Sequence, residues 1–136
     1  MIIYYSAKRG ATDGLLLQSL ETVIPSGEMK ICRSVDQLSG TLHQPGSRLA
    51  IVILLTLSRR ELLDILFLRD LLGEMKIILI LPDSHPETLM KGHLLRPRFL
   101  CDQTGNFQEV AAVLDRLIHH PDIRQPAPGE DGIRNT

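Results

Sequence analysis

The chain has 136 residues, which is enough for one domain with a single hydrophobic core. Apolar residues make up 43% of it and charged residues 23%, a balance typical of ordinary globular proteins that excludes a disordered composition. The formal net charge of -1 excludes a global field that would hold the chain on nucleic acid or on an anionic membrane, so neither is expected as a partner.

Targeting and membrane segments are not indicated by the sequence. The first residues enter an apolar strand without a basic leader, and the apolar runs are shorter than the roughly 20 residues of a membrane helix. We therefore expect a cytoplasmic protein. Its two cysteines, Cys32 and Cys101, are too few and too far apart for a disulfide framework or a zinc site. We expect both to be small buried residues of strands.

The predicted elements alternate between strand and helix along the chain. The strands are predicted over residues 2–6, 29–33, 49–56, 76–81 and 98–102. The third and fourth are continuously apolar, which is typical of strands buried on both faces of a parallel sheet, so we place them at its centre. The first helix, over about residues 12–23, presents Leu16 and Leu20 to the sheet.

Four helix starts are indicated by a Ser or Asn that is followed three residues later by Glu or Gln. In such a capping box the first side chain bonds a free backbone N–H, and the fourth side chain reaches back. The boxes are Ser34-Val35-Asp36-Gln37, Ser58-Arg59-Arg60-Glu61, Ser84-His85-Pro86-Glu87 and Asn106-Phe107-Gln108-Glu109.

The helices in the second half of the chain differ in their apolar content. The one over residues 61–72 carries more apolar residues than a single buried stripe uses, so some of Leu63, Phe67 and Leu71 are expected to be exposed or to contact a partner. The last helix has one clear stripe, from Phe107 to Ile118. We predict a domain over residues 1–120 and, from its proline, glycine and charge, a disordered tail over residues 121–136.

This element order predicts an α/β fold with three layers (αβα). Short connections require a mostly parallel sheet with helices on both faces and right-handed crossovers. For five strands we expect the flavodoxin-like or CheY-like order 2-1-3-4-5. The strands that carry Cys32 and Cys101 then lie at opposite edges of the sheet, too far apart for a disulfide.

Over about residues 1–119 the chain resembles the response-regulator receiver (CheY-like) family. The likeness is in element order and length, and in Phe99-Leu100-Cys101-Asp102 followed by Phe107-Gln108-Glu109-Val110. Receivers bind Mg²⁺ and accept phosphate through acidic residues at strand ends, with a hydroxyl residue and a lysine nearby. By this resemblance, the corresponding positions in this chain are Tyr5-Ser6, Leu55-Thr56, Leu81-Pro82 and Asp102-Gln103. None of these pairs has the side chain that a receiver carries at that position. The resemblance therefore implies a degenerate receiver that is not an enzyme.

The loops at the carboxyl edge of the sheet are the expected place for a ligand in an open α/β fold. They carry four basic residues that could form a pocket for an anion, helped by a helix N-terminus: Lys8, Arg9, Arg59 and Arg60. The alternative is that these side chains are simply solvated. The five histidines lack metal-ligand spacing, so we expect no metal, and no cofactor is expected either.

The helix before the fifth strand mixes apolar and basic residues. In receivers the corresponding face mediates dimerisation or docking, so the resemblance implies an interaction face, for a protein partner or a homodimer, made of Met90, Lys91, His93, Leu94, Arg96 and Arg98. The leading hypothesis is a non-catalytic signalling module that acts through protein contacts, without phosphorylation.

Two other functions stay open. Residues 2–12 resemble a flavodoxin strand and phosphate loop, which implies FMN binding and electron transfer, although Lys8-Arg9-Gly10-Ala11 departs from the usual loop and the chain has no Trp. The second is a small anionic ligand bound at the four basic residues. His85 is the one candidate acid or base near that edge, and no catalytic set accompanies it.

Overall fold

A computed structural model describes residues 2–25, 27–44 and 51–119. These residues form a five-stranded parallel sheet in the order β2-β1-β3-β4-β5, which confirms the predicted three-layer α/β fold. The strands are β1 Ile2–Ser6, β2 Met29–Cys32, β3 Ile51–Leu55, β4 Lys76–Leu81 and β5 Phe99–Asp102. The helices are α1 Ala11–Glu21, α2 Val35–Leu42, α3 Arg59–Leu66, α4 Arg69–Leu72, α5 Pro86–His93 and α6 Phe107–His119.

The observed strands match the predicted ones closely. β1 and β4 have the predicted bounds, whereas β2 and β3 each end one residue earlier and β5 begins one residue later. The predicted start of the third strand and the predicted tail over residues 121–136 lie outside the described residues. No helix in the described part of the chain combines the length and the apolar content needed to cross a bilayer.

Two apolar cores cover the two faces of the sheet. On one face α1 and α6 pack over Ile2 and Tyr4 of β1. On the other face α2, α3 and α4 pack in one core with Ile3 and Tyr5 of the same strand, and α5 lies over β4. Successive residues of a strand point to opposite faces, so β1 contributes to both cores. The central strand β3 is buried along its whole length, as the uninterrupted apolar run predicts.

The two cysteines lie on the two edge strands, as predicted. Cys32 of β2 is buried, and its sulfur is 3.6 Å from the hydroxyl of Thr41. Cys101 of β5 is half-buried. Burial, together with the nearby carboxylates of Asp102 and Glu109, raises the pKa of the Cys101 thiol to about 11, so the thiol is protonated at neutral pH.

Three of the four predicted helix starts are capped by the predicted residue. Ser34 and Ser58 accept hydrogen bonds from the backbone N–H of Gln37 and Glu61, and Asn106 accepts one from Gln108. The box at Ser84 is wrong, because the N-cap of α5 is His85 and Pro86 is the first helical residue. Proline fits this first position because its missing N–H would have no partner there.

The predicted helix over residues 61–72 is two helices, α3 and α4, with a break at Phe67 and Leu68. The break turns Leu68, Leu71 and Leu72 toward the core. Phe67 is left 86% exposed and Leu63 is 38% exposed, which confirms that the surplus of apolar residues reaches the surface.

Candidate functional site

The carboxyl edge of the sheet is filled by uncharged buried side chains at its centre. Ser6 at the end of β1 and Thr56 just after β3 are fully buried. The Thr56 hydroxyl donates a 2.8 Å hydrogen bond to the carbonyl of Ile80, and the Ser6 hydroxyl donates one of 3.1 Å to the carbonyl of Lys8. Both hydroxyls are therefore used in holding the backbone of neighbouring strands and loops.

Next to this edge the structure contains a buried polar network that the sequence analysis missed. Asp13, in the first turn of α1, is 4% exposed. Its carboxylate accepts a 2.7 Å hydrogen bond from the hydroxyl of Tyr4 and pairs at 3.0 Å with the guanidinium of Arg33. The same guanidinium nitrogen also donates to the carbonyl of Ser6 at 3.3 Å. The network ties the N-terminus of α1 to the ends of β1 and β2.

The sequence contains a signal for the burial of Asp13. Asp13 lies three residues before Leu16 and seven before Leu20, so it belongs to the apolar stripe of α1. A carboxylate in such a stripe requires a buried partner. The partner Arg33 is 20 residues away in the chain, and only the β2–β1 strand pairing brings it near.

The four basic residues predicted to bind an anion differ in their partners. Lys8 and Arg9 are exposed on the loop after β1. Arg59 pairs with Asp83 at 3.0 Å, and Arg60 lies 3.9 Å from Asp64. Two of the four charges thus already have a carboxylate partner, and anion binding at this edge stays a prediction.

Asp83 is strongly stabilised as an anion. The nearby Thr88 hydroxyl, the backbone N–H of His85 and the Arg59 guanidinium lower the pKa of Asp83 to about 2. Among the described residues, the buried Thr88 hydroxyl has no hydrogen-bond partner of regular geometry. An anionic ligand beside Arg59 would have to compete with this carboxylate.

The predicted interaction residues lie together on α5 and on the segment that leads into β5. We call them the α5–β5 face: Met90, Lys91, His93, Leu94, Arg96 and Arg98. Met90 is 63% exposed and Leu94 is 52% exposed. Within the described residues, Lys91, Arg96 and Arg98 form no ion pair. Arg96 has a left-handed backbone (φ 53°), which is uncommon for a residue other than glycine and directs the chain from α5 into β5.

α3 also has exposed apolar side chains near its C-terminal end. α3 and α5 follow the neighbouring strands β3 and β4, and they contact each other. Phe67 and Leu94 are the C-cap residues of the two helices, and each has an exposed apolar residue one turn earlier, Leu63 and Met90. The two helices therefore present matching apolar pairs, of which sequence analysis placed only one on the interaction face.

A cavity of about 490 Å³ lies beside the C-terminal end of α5. Its lining includes Leu94, His93 and Arg96 together with Arg69 and Asp70 of α4. The cavity joins the α5–β5 face to α4 and is lined by more basic than acidic side chains.

The described residues contain no group of three or more His, Cys, Asp or Glu side chains that could hold a metal ion. The two tyrosines are 0% and 1% exposed inside β1, so neither could stack on a flavin. A comparison with protein-family models, curated proteins and solved structures finds no match. The fold by itself is compatible with many functions, so the exposed surface is the better guide.

Proposed function

We propose that the chain is a non-catalytic, receiver-like regulatory module that binds a protein partner through the α5–β5 face. The observation that carries this proposal is the exposure of Met90 and Leu94 beside three basic side chains without ion pairs. Exposed apolar residues that cluster within a charged rim are typical of protein-binding surfaces, which are enriched in Met, Phe and Arg.

The apolar residues of the face supply binding energy. Burial of a full Leu or Met side chain is worth about 1.5–3 kcal/mol, and roughly half of each side chain is still exposed here. Met90 and Leu94 together would therefore contribute about 2–3 kcal/mol when a partner covers them. Phe67 on the neighbouring helix would extend the contact, since it is almost fully exposed.

The basic rim determines which partner is favoured. Lys91, Arg96 and Arg98 would attract an acidic surface, raise the rate of association and make it sensitive to salt. In a two-fold dimer the same patch meets itself, so these three basic side chains would face their own copies and repel them, with Glu87 as the one acidic side chain of α5. The charge of the face thus favours a different, acidic protein over a second copy of this chain.

Binding by this module would not require phosphorylation. The strand-end positions that correspond to a receiver's acidic residues carry Ser6, Leu55 and Thr56, which are uncharged and buried. A phosphoacceptor aspartate and a carboxylate pair for Mg²⁺ are therefore not supplied at these positions. The α5–β5 face would therefore bind its partner without a phosphorylation switch.

Differential affinity capture tests the proposal. The immobilised full chain, the variant Leu94→Asp and the control variant Gly40→Asp are exposed to lysate of the source organism. Gly40 lies on α2, where an added Cβ meets nothing within 4 Å, so the control adds the same charge away from the face. We expect one protein that the wild type and the control retain and that Leu94→Asp loses. A protein retained equally by all three, or none, would contradict the proposal.

A further inference from the structure

The cavity of about 490 Å³ at the C-terminal end of α5 adjoins the apolar residues of the α5–β5 face. Leu94 belongs to both, because it lines the cavity and is 52% exposed. A partner that covers Leu94 would therefore lie against the cavity as well. What the cavity binds is thus part of how that partner is recognised.

The cavity is lined by two arginines and one aspartate. Arg96 follows α5, and Arg69 and Asp70 are the first residues of α4. Within the described part of the chain, none of these three side chains forms an ion pair. Two guanidinium groups and one carboxylate leave one positive charge, so the lining is complementary to a single negative charge.

The surroundings of the cavity are also basic. The charged residues within two positions of the lining segments are Glu74, Lys91 and Arg98, which together add one more positive charge. The carbonyls of Lys91, Gly92 and His93 at the end of α5 accept hydrogen bonds of 3.0–3.1 Å from the three residues that follow the helix. These carbonyls therefore oppose an anion less than the free carbonyls of an uncapped helix end would.

The backbones of both arginines are held in place. The N–H of Arg96 donates a 3.0 Å hydrogen bond to the carbonyl of His93, and Pro97 restricts the chain directly after it. The carbonyl of Arg69 accepts a 3.0 Å hydrogen bond from the N–H of Gly73. Because the attachment points are fixed, less conformational freedom is lost when a ligand binds between the two side chains.

From these observations we infer that the cavity receives the carboxylate of one Asp or Glu side chain of the partner, held by Arg69 and Arg96. The inference rests on the proposed binding at the α5–β5 face. A guanidinium group offers a planar carboxylate two parallel N–H donors. A phosphate group carries a charge of about -1.5 to -2, which exceeds the single positive charge of the lining. The partner therefore presents an acidic residue next to the apolar residue that covers Leu94.

A small probe tests the cavity without the partner. N-acetylglutamate methylamide carries one carboxylate, and N-acetylglutamine methylamide is its uncharged match. The isotope-labelled full chain is titrated with each, and the resonances of the backbone and of the arginine Nε–H groups are followed. With the glutamate derivative we expect saturable shifts at Arg69, Leu94 and Arg96, with a Kd in the millimolar range because the ligand is small. The glutamine derivative should cause none of these shifts.

Two exposed residues of α4 allow changes of opposite sign. Arg69→Gln should weaken binding of the glutamate derivative by about threefold to fivefold, and Asp70→Asn should strengthen it by a similar factor, as expected for partly solvated charges. Arg60→Gln on α3 is the control, because Arg60 is exposed and lies away from the cavity lining. It should leave the Kd unchanged, and all three variants should keep the native circular dichroism. The partner captured through Leu94 should follow the same order of affinities.

Three results would overturn the inference and leave the proposed partner binding intact. The first is a set of shifts that does not saturate or that falls on all exposed arginines alike. The second is inorganic phosphate that binds the cavity more tightly than the glutamate derivative. The third is a partner that Leu94→Asp loses but whose affinity neither α4 variant changes. Failure of the proposed function looks different, since the probe would bind while no captured protein depends on Leu94. That result would also refute the assignment of the carboxylate to a partner.

Discussion

The hydroxyl of Tyr4 donates a 2.7 Å hydrogen bond to the carboxylate of Asp13, and both residues are buried. The acceptor oxygen also pairs with Arg33, so one carboxylate atom joins α1, β1 and the residue that follows β2. A buried carboxylate is costly to desolvate, and these two partners offset that cost. The network therefore holds the N-terminus of α1 against the sheet.

Removal of the Asp13 carboxylate should destabilise the fold strongly. We expect Asp13→Ala to lower the free energy of unfolding by about 2–4 kcal/mol, because it leaves Tyr4 without its acceptor and the mostly buried Arg33 without its carboxylate partner. Asp64→Ala is the matched control, since Asp64 is half-exposed and lies 3.9 Å from Arg60. That change should cost less than about 1 kcal/mol. Urea unfolding measures both, and equal losses would contradict this role for Asp13.

The two buried tyrosines make the stability depend on alkaline pH. Burial, more than the nearby carboxylates, raises the pKa of Tyr4 far above its usual value and that of Tyr5 to about 12. A folded pKa above the unfolded value of about 10 gives stability that is fully present below pH 10 and is lost as pH rises through the folded pKa. Two such groups can remove up to about 2.7 kcal/mol per pH unit above pH 10.

Tyrosinate absorbance and circular dichroism, followed together in an alkaline titration, check this dependence. The chain has no Trp, so its two tyrosines dominate the near-ultraviolet signal. Ionisation should coincide with unfolding, and Tyr4→Phe should reduce the slope of stability against pH by about half. Ionisation near pH 10 in a chain that still has its native dichroism would show that the tyrosines are accessible.

Gly92 allows α5 to lie close to the sheet. A Cβ at this position would be 3.0 Å from a methyl of Leu81 and 3.3 Å from one of Leu79. We expect Gly92→Val to lower the free energy of unfolding by about 1–3 kcal/mol through overpacking. Gly40→Ala, in a helix position with open space, should instead stabilise by about 0.5–1 kcal/mol. Thermal unfolding of both variants measures the contrast. A Gly92→Val variant with the wild-type free energy of unfolding would refute the close packing.

Ligand-dependent thermal shifts distinguish the proposed module from the other two functions. A ligand present at about 100 times its Kd adds roughly 2.7 kcal/mol and raises the midpoint by several degrees. We expect no shift with Mg²⁺ plus beryllofluoride and none with FMN. A shift with beryllofluoride would mean a working phosphoacceptor, and one with FMN would favour electron transfer. A shift with inorganic phosphate that Lys8→Ala and Arg9→Ala abolish would instead favour the anion pocket.

The fold was largely predictable because its signals are local. Uninterrupted apolar runs mark β3 and β4, and the capping residues Ser34 and Ser58 mark two helix starts. The wrong prediction of a capping box at Ser84 also has a local cause. Pro86 favours the first helical position, so the N-cap of α5 is His85.

The surface was less predictable than the fold. Exposure of Met90 and Leu94 follows from the positions they occupy on an amphipathic helix. The exposure of Phe67 depends on the break after α3, which is a tertiary feature. The pairing of Asp13 with Arg33 likewise requires two strands to meet.

Chemical-shift mapping of the isotope-labelled chain with the captured partner tests the central claim most directly. The account predicts that the largest backbone shifts fall on residues 86–102, that they extend to Phe67, and that they are lost with Leu94→Asp. Shifts centred on the loops after β1 and β3 would contradict it, because the partner would then bind at the carboxyl edge and not on the α5–β5 face.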